Sequence, residues 1–207
     1  MKIEKGQYNY ITYKKKSQFL SMLAMLVIGV VIFFIGLLLS KMSKANIFTV
    51  IAVLMVLPGA NYLTRFIVLF PYKSPDKKQY DEMALLVDKV DGATLLTDMV
   101  ITSPEKVMNL DFIVVGNDVV LGVPGKSNQD LNYIEQYLTE GIRKYDKKCR
   151  VKFYPEYTQF CKEVKKLADS SKRDKKGLDQ TEELKEDKSG SEKREDVLRY
   201  LKSLVVE

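Results

Sequence analysis

The chain has 207 residues, no histidine, two cysteines and a formal charge of +6. This composition excludes Ser-His-Asp and Cys-His nucleophile systems and every His-ligated metal centre. The charge is unevenly divided: residues 1–75 carry +8, with Glu4 their sole acid, and residues 76–207 carry −2. The excess basicity therefore belongs with the apolar N-terminal third, where each lysine beside an anionic leaflet gains about 1 kcal/mol. This distribution favours lipid headgroups over nucleic acid as the partner of the positive charge.

Two apolar runs come first, Phe19 to Leu39 and Ile47 to Leu63, the second extended to Phe70. About 20 apolar residues in helix span a bilayer, so residues 1–75 read as a two-span helical hairpin with spans at about 19–39 and 47–70. Lys2, Lys5, Lys14, Lys15 and Lys16 precede the first run, and Lys73, Lys77 and Lys78 follow the second. The connector holds only Lys41 and Lys44. The positive-inside bias places both termini in the cytoplasm, with a bacterial plasma membrane assumed. The first run is too long for a signal peptide's apolar core, and a second span follows at once. Gly29 and Gly36 lie one heptad apart and suit close helix packing. Pro58-Gly59 is expected to kink the second span. Arg65, near a helix end, is expected to snorkel to the interface.

Beyond Pro71 and Pro75 the pattern becomes that of an α/β domain, residues 76–168. Lys77 to Val90 reads as a helix with Asp76 as its N-cap, closed by Asp91-Gly92. Thr94–Thr102, Val107–Val115 and Val119–Val123 read as strands. Ser103-Pro104 turns between the first two. Gly116-Asn117-Asp118 offers positive-φ hairpin chemistry between the second and third. Ser127 is expected to cap a helix running to about Tyr145, then come a strand, Cys149–Tyr154, and a helix, Glu156–Ala168. The order α-β-β-β-α-β-α implies an α/β or α+β sandwich with a central sheet. Residues 169–191 are charged and poor in apolar residues and read as a flexible linker. Residues 192–207 recover helical periodicity through Val197, Leu198, Leu201, Leu204 and Val205, giving an amphipathic helix able to dock on the domain, the bilayer or a protein partner.

The chain carries no P-loop, GxGxxG, nucleophile elbow or EF-hand loop. Cys149 and Cys161, twelve apart, match no metal-ligand or CxxC spacing and read as reduced structural residues. Asp98 and Glu135 are candidate acids without an assignable partner. Arg143, Lys144, Lys147, Lys148, Arg150 and Lys152 form the densest basic stretch, suited to phosphate contact or to a solvated helix end.

The helix–three strands–helix–strand order is that of the restriction-endonuclease-like core. Asn109-Leu110-Asp111-Phe112-Ile113-Val114-Val115-Gly116 resembles the nuclease-related domain called NERD. The resemblance spans about 80 residues, Asp76 to Tyr154. It implies Asp111 as the strand acid, Lys126 as the lysine of a Glu-x-Lys motif and Glu82 as a helix acid. Pro124 stands where that motif's Glu belongs. Metal-assisted phosphodiester hydrolysis needs converging carboxylates on a hard cation, so an intact relative would use Mg²⁺ or Mn²⁺. With proline in place, no catalytic motif is complete. No metal site or cofactor is otherwise indicated.

Three functions follow as expectations. The first is a membrane-anchored α/β domain that binds a partner or ligand without catalysis. The second is a membrane-tethered, degenerate nuclease-like domain. The third is a small subunit of a membrane transport or envelope complex.

Overall fold

The computed structural model describes residues 3–39, 47–126, 128–174 and 180–206. It forms two compact units: Ile11–Pro71, and Tyr72–Val206 joined by the residues up to Tyr10.

The first unit is a helical hairpin. Helix α1 (Tyr10–Leu39) starts well before its apolar run, and α2 (Ile47–Leu54) and α3 (Val56–Leu69) form the second arm. Both arms are long and apolar enough to cross a membrane. Their large side chains face outward, as with Leu38 at 78% and Ile47 at 70% exposure, which a soluble core helix would not show. The arms run antiparallel, with contacts nested around the connector. Lys15 Nζ donates to the Phe70 carbonyl at 2.8 Å, and Phe19 meets Phe66 at 5.8 Å between ring centroids. A Cβ on Gly29 would stand 3.5 Å from Met55 Cβ, so this glycine marks a close approach of the arms. The second arm breaks at Met55. Pro58 lacks the N–H that would bond the Leu54 carbonyl, so the expected disturbance lies one turn before the proline.

The second unit is a three-layer sandwich. Helix α4 (Lys77–Val87) precedes β1 (Thr94–Thr102), β2 (Val107–Val115) and β3 (Val119–Pro124). Then come α5 (Leu131–Ile142), β4 (Arg150–Phe153), α6 (Tyr157–Asp174) and α7 (Gln180–Leu204). The sheet order is β1-β2-β3-β4, antiparallel except for the parallel β3–β4 pair that α5 connects. One face packs Leu96, Met99, Leu110 and Ile113 against Ile134, Leu138 and Ile142 of α5 and Val197 and Leu201 of α7. The other packs Phe112, Val114 and Leu121 against Met83 and Val87 of α4 and Phe160 and Val164 of α6. A sheet apolar on both faces needs a helical layer on each.

Several local expectations change. Asp76 sits at the N-cap of α4, but its side chain makes no capping bond. Ser127 lies outside the described residues. The cap of α5 is Asp130, whose carboxylate accepts from Tyr133 N–H at 3.1 Å. The β2–β3 turn closes through Gly116 N–H to the Val119 carbonyl at 2.8 Å without a left-handed residue. Residues 169–174 and 180–191, expected as linker, are helical: they extend α6 and begin α7, while 175–179 lie outside the described residues. Propagating an existing helix costs far less than starting one, so the charged sequence continues from its two apolar anchors. The last helix docks on the domain. Val205 bridges Ile101, Val206 N–H bonds the Val100 carbonyl at 3.0 Å, and Tyr10 OH donates to the Val206 carbonyl at 3.2 Å. Together with Gly6, whose carbonyl accepts from Thr97 N–H at 2.9 Å, these residues cover the free edge of β1.

Candidate functional site

The middle of the β1–β2 ladder is irregular. Leu96 and Met99 both enter the same core cluster, so the strand's alternation slips by one residue, and Asp98 takes a φ of 56°. On β2 the pairing with β3 shifts between Leu110 and Phe112, around Asp111. Asp111 is therefore the extra residue of a bulge against β3, and Asp98 faces it on β1. They occupy facing positions between the Thr97–Phe112 and Met99–Leu110 pairs. Asp98 is fully buried and accepts from Ser74 Oγ at 2.8 Å. Burial first, and then the Asp98 charge, pushes the Asp111 carboxyl up to about 6, partly offset by a hydrogen bond from Asn109.

Asn109 is held firmly. Its N–H donates to Gln129 Oε1 at 2.9 Å, and its carbonyl accepts from Gln129 Nε2 at 2.7 Å and from Gly125 N–H at 3.0 Å. The Gln129 amide thus stands in for a strand partner. Asn109 Oδ1 is buried without a hydrogen-bond partner among the described residues. Gly125 must remain side-chain-free, because a Cβ there would collide with Asn109 Nδ2 and Asp111 Oδ1. Polar side chains from β1, β2 and the loop after β3 thus crowd one bulged site.

The other residues singled out in the sequence make contacts of their own. Lys126, one residue past the Gly125 that closes on Asp111, places its ammonium 4.8 Å above the Tyr72 ring. Glu82, on α4, faces Tyr157 OH at 3.5 Å and adds to the rise of the Cys161 thiol, whose leading cause is burial. Pro124 pairs with Leu110 at the end of β3. Among the described residues, no three His, Cys, Asp or Glu side chains are placed to hold a metal ion. Arg143, Lys144, Lys147, Lys148, Arg150 and Lys152 are all exposed. Arg150 and Lys152 lie on the outer strand β4, where charge blunts edge pairing. Lys73, Lys77 and Lys78 are exposed too. Glu135 accepts from Phe153 N–H at 2.7 Å and so ties α5 to β4.

A cleft of about 390 Å³ opens beside the start of β2 and the N-terminus of α5. Tyr72, Lys106, Gln129, Asp130, Tyr133 and Ile134 contribute to its walls. Lys106 Nζ bonds Asp130 Oδ2 at 2.9 Å and lies 4.8 Å over the Tyr133 ring. Tyr133 OH shares a 2.8 Å hydrogen bond with Ser103 Oγ, which also accepts from Lys106 N–H in the β1–β2 turn. Sequence reading missed this cleft, because its walls come from three separated segments. It named Asp98 without a partner, since the register of two paired strands is not written in either one alone. A lone acid inside the apolar run Thr94–Thr102 was the available signal.

No protein-family model, curated protein or solved structure matches the chain.

Proposed function

We propose that this protein is anchored in a membrane by its α1–α3 hairpin, with both termini in the cytoplasm, and that its α/β domain binds a small ligand without catalysis. The cleft between β2 and α5 carries this reading. Its volume lies within the usual range for small-molecule sites, and its walls combine aromatic faces with a few fixed polar groups. The outward apolar side chains of the hairpin and the flanking Lys14, Lys15, Lys16, Lys73, Lys77 and Lys78 support the membrane assignment. Pro124, paired at the end of β3 where a Glu-x-Lys motif would need its Glu, argues against hydrolysis.

The test is a small-molecule screen on the full chain in lipid nanodiscs, read by thermal stability and by hydrogen exchange at residues 128–134. A binder that protects this segment supports the reading. A diverse screen without any such binder refutes it.

A second reading, a degenerate nuclease-like domain, is favoured by Asp111 beside the β2–β3 hairpin and by the facing Asp98. An acid near pH 6 suits proton transfer at neutral pH. The full chain would be assayed for nucleic-acid binding and cleavage with Mg²⁺ or Mn²⁺ across a salt series. Metal-dependent cleavage lost in Asp111→Ala would establish an active nuclease, and salt-sensitive binding alone a degenerate one.

A further inference from the structure

The cleft has an electrostatic character that its shape alone does not require. Lys106 forms one wall, and its ammonium lies 4.8 Å above the Tyr133 ring. The Lys126 ammonium lies 4.8 Å above the ring of Tyr72, another wall residue. Stacking on a ring face positions an ammonium without removing it from solvent. The N-terminus of the twelve-residue helix α5 opens on the same cleft, capped by Asp130. Aligned peptide dipoles make that end positive and favour anions. Among the wall residues Lys106 pairs with Asp130, which also accepts from Tyr133 N–H. Lys126, stacked on Tyr72 at the rim, and the helix N-terminus add positive charge, against Glu105, which also acts on Lys106. The volume exceeds that of a bare inorganic ion.

We propose that this cleft binds the phosphate group of a small phosphorylated molecule, with Lys106 and Lys126 as the cationic contacts and Tyr72 and Tyr133 flanking the rest of the ligand. The proposal rests on the reading of the domain as a ligand-binding module and names the class of ligand. A phosphate could arrive free in solution or on a lipid headgroup. The phosphate group presents the same chemistry to the site from either source.

The experiment is lysine acylation footprinting of the full chain in nanodiscs. In phosphatidylcholine discs, glycerol phosphate is titrated as the soluble probe. Parallel discs contain phosphatidylglycerol without added probe. Lys166, exposed on α6 and outside the cleft, serves as the reference. The expected result is saturable protection of Lys106 and Lys126, with Lys166 unchanged. Lys106→Gln should then weaken protection of Lys126 at least tenfold, and Lys126→Gln should do the same to Lys106. Protection already present in phosphatidylglycerol discs assigns the phosphate to lipid. Protection by soluble probe alone assigns it to a free metabolite. Equal protection of Lys166, or none at either cleft lysine in both arms, overturns the proposal. If uncharged compounds protect residues 128–134 while no phosphate does, the ligand class falls and the binding module stands. If nothing protects them, both fall.

Discussion

Asp98, fully buried on β1, faces the half-buried Asp111 across the β1–β2 ladder, where β2 bulges against β3. Burial, and then the charge of Asp98, raises the cost of ionising Asp111. Asn109 donates to Asp111 and lowers part of that cost.

A pH dependence follows. The Asp111 carboxyl is raised from 3.8 to about 6 in the folded domain. A raised pKa means that the folded state holds its proton more tightly than the unfolded chain does. Its contribution is fully present below about pH 3.8 and is lost as pH rises through about 6. Asp111→Asn should therefore stabilise the domain at pH 7.5 by on the order of 2 kcal/mol and have little effect at pH 4. Denaturant titrations at the two pH values check this. Equal effects at both would refute the charge argument.

At Gly122 the backbone of β3 comes close to a side chain of β4. A Cβ there would collide with the ring of Phe153, which is 3% exposed and cannot swing outward. Gly122→Ala is expected to cost about 1–3 kcal/mol by overpacking. Phe153→Leu in the same chain should recover part of the loss, as a double-mutant cycle in urea would show.

The docking of α7 rests on Val197, Leu201 and Val205. Leu201 is fully buried, so Leu201→Ala should destabilise the domain by about 2–5 kcal/mol. Glu195→Ala, on the exposed side of the same helix, should change stability by less than about 0.5 kcal/mol. Hydrogen exchange at the Val206 amide, bonded to Val100, gives a local readout. Similar small effects for both substitutions would mean that α7 does not hold the β1 edge.

Both thiols should be inert in the folded chain. Burial pushes the Cys149 thiol up to about 11 and raises that of Cys161 as well, and both are nearly inaccessible. Maleimide labelling at pH 7.5 is expected to be slow for both, rising at least tenfold in denaturant. Fast labelling of either native cysteine would contradict the packing of β4 or α6.

If the hairpin spans twice, both ends share one side of the membrane. Cysteines introduced at Lys5 and Ser191 should then react with an impermeant maleimide from the same face of oriented vesicles. Reaction from opposite faces would reduce the spans to one.

The sequence by itself determined the two apolar helices, the order of elements in the domain and the amphipathic stripe of the last helix. Each of these depends on composition and periodicity within one segment, such as Leu131, Ile134 and Leu138 recurring on one side of α5. The break before Pro58 was legible for the same local reason, a missing N–H. The functional geometry was not local. Asp98 meets Asp111 only because the β1–β2 pairing sets them opposite each other, and that register belongs to neither strand alone. Lys126 lies on Tyr72, 54 positions earlier in the chain, and the Lys106–Tyr133 wall joins a turn to a helix. Tertiary packing also decided that α7 closes the β1 edge, because unsatisfied strand amides and an apolar helix face each cost free energy until they find partners.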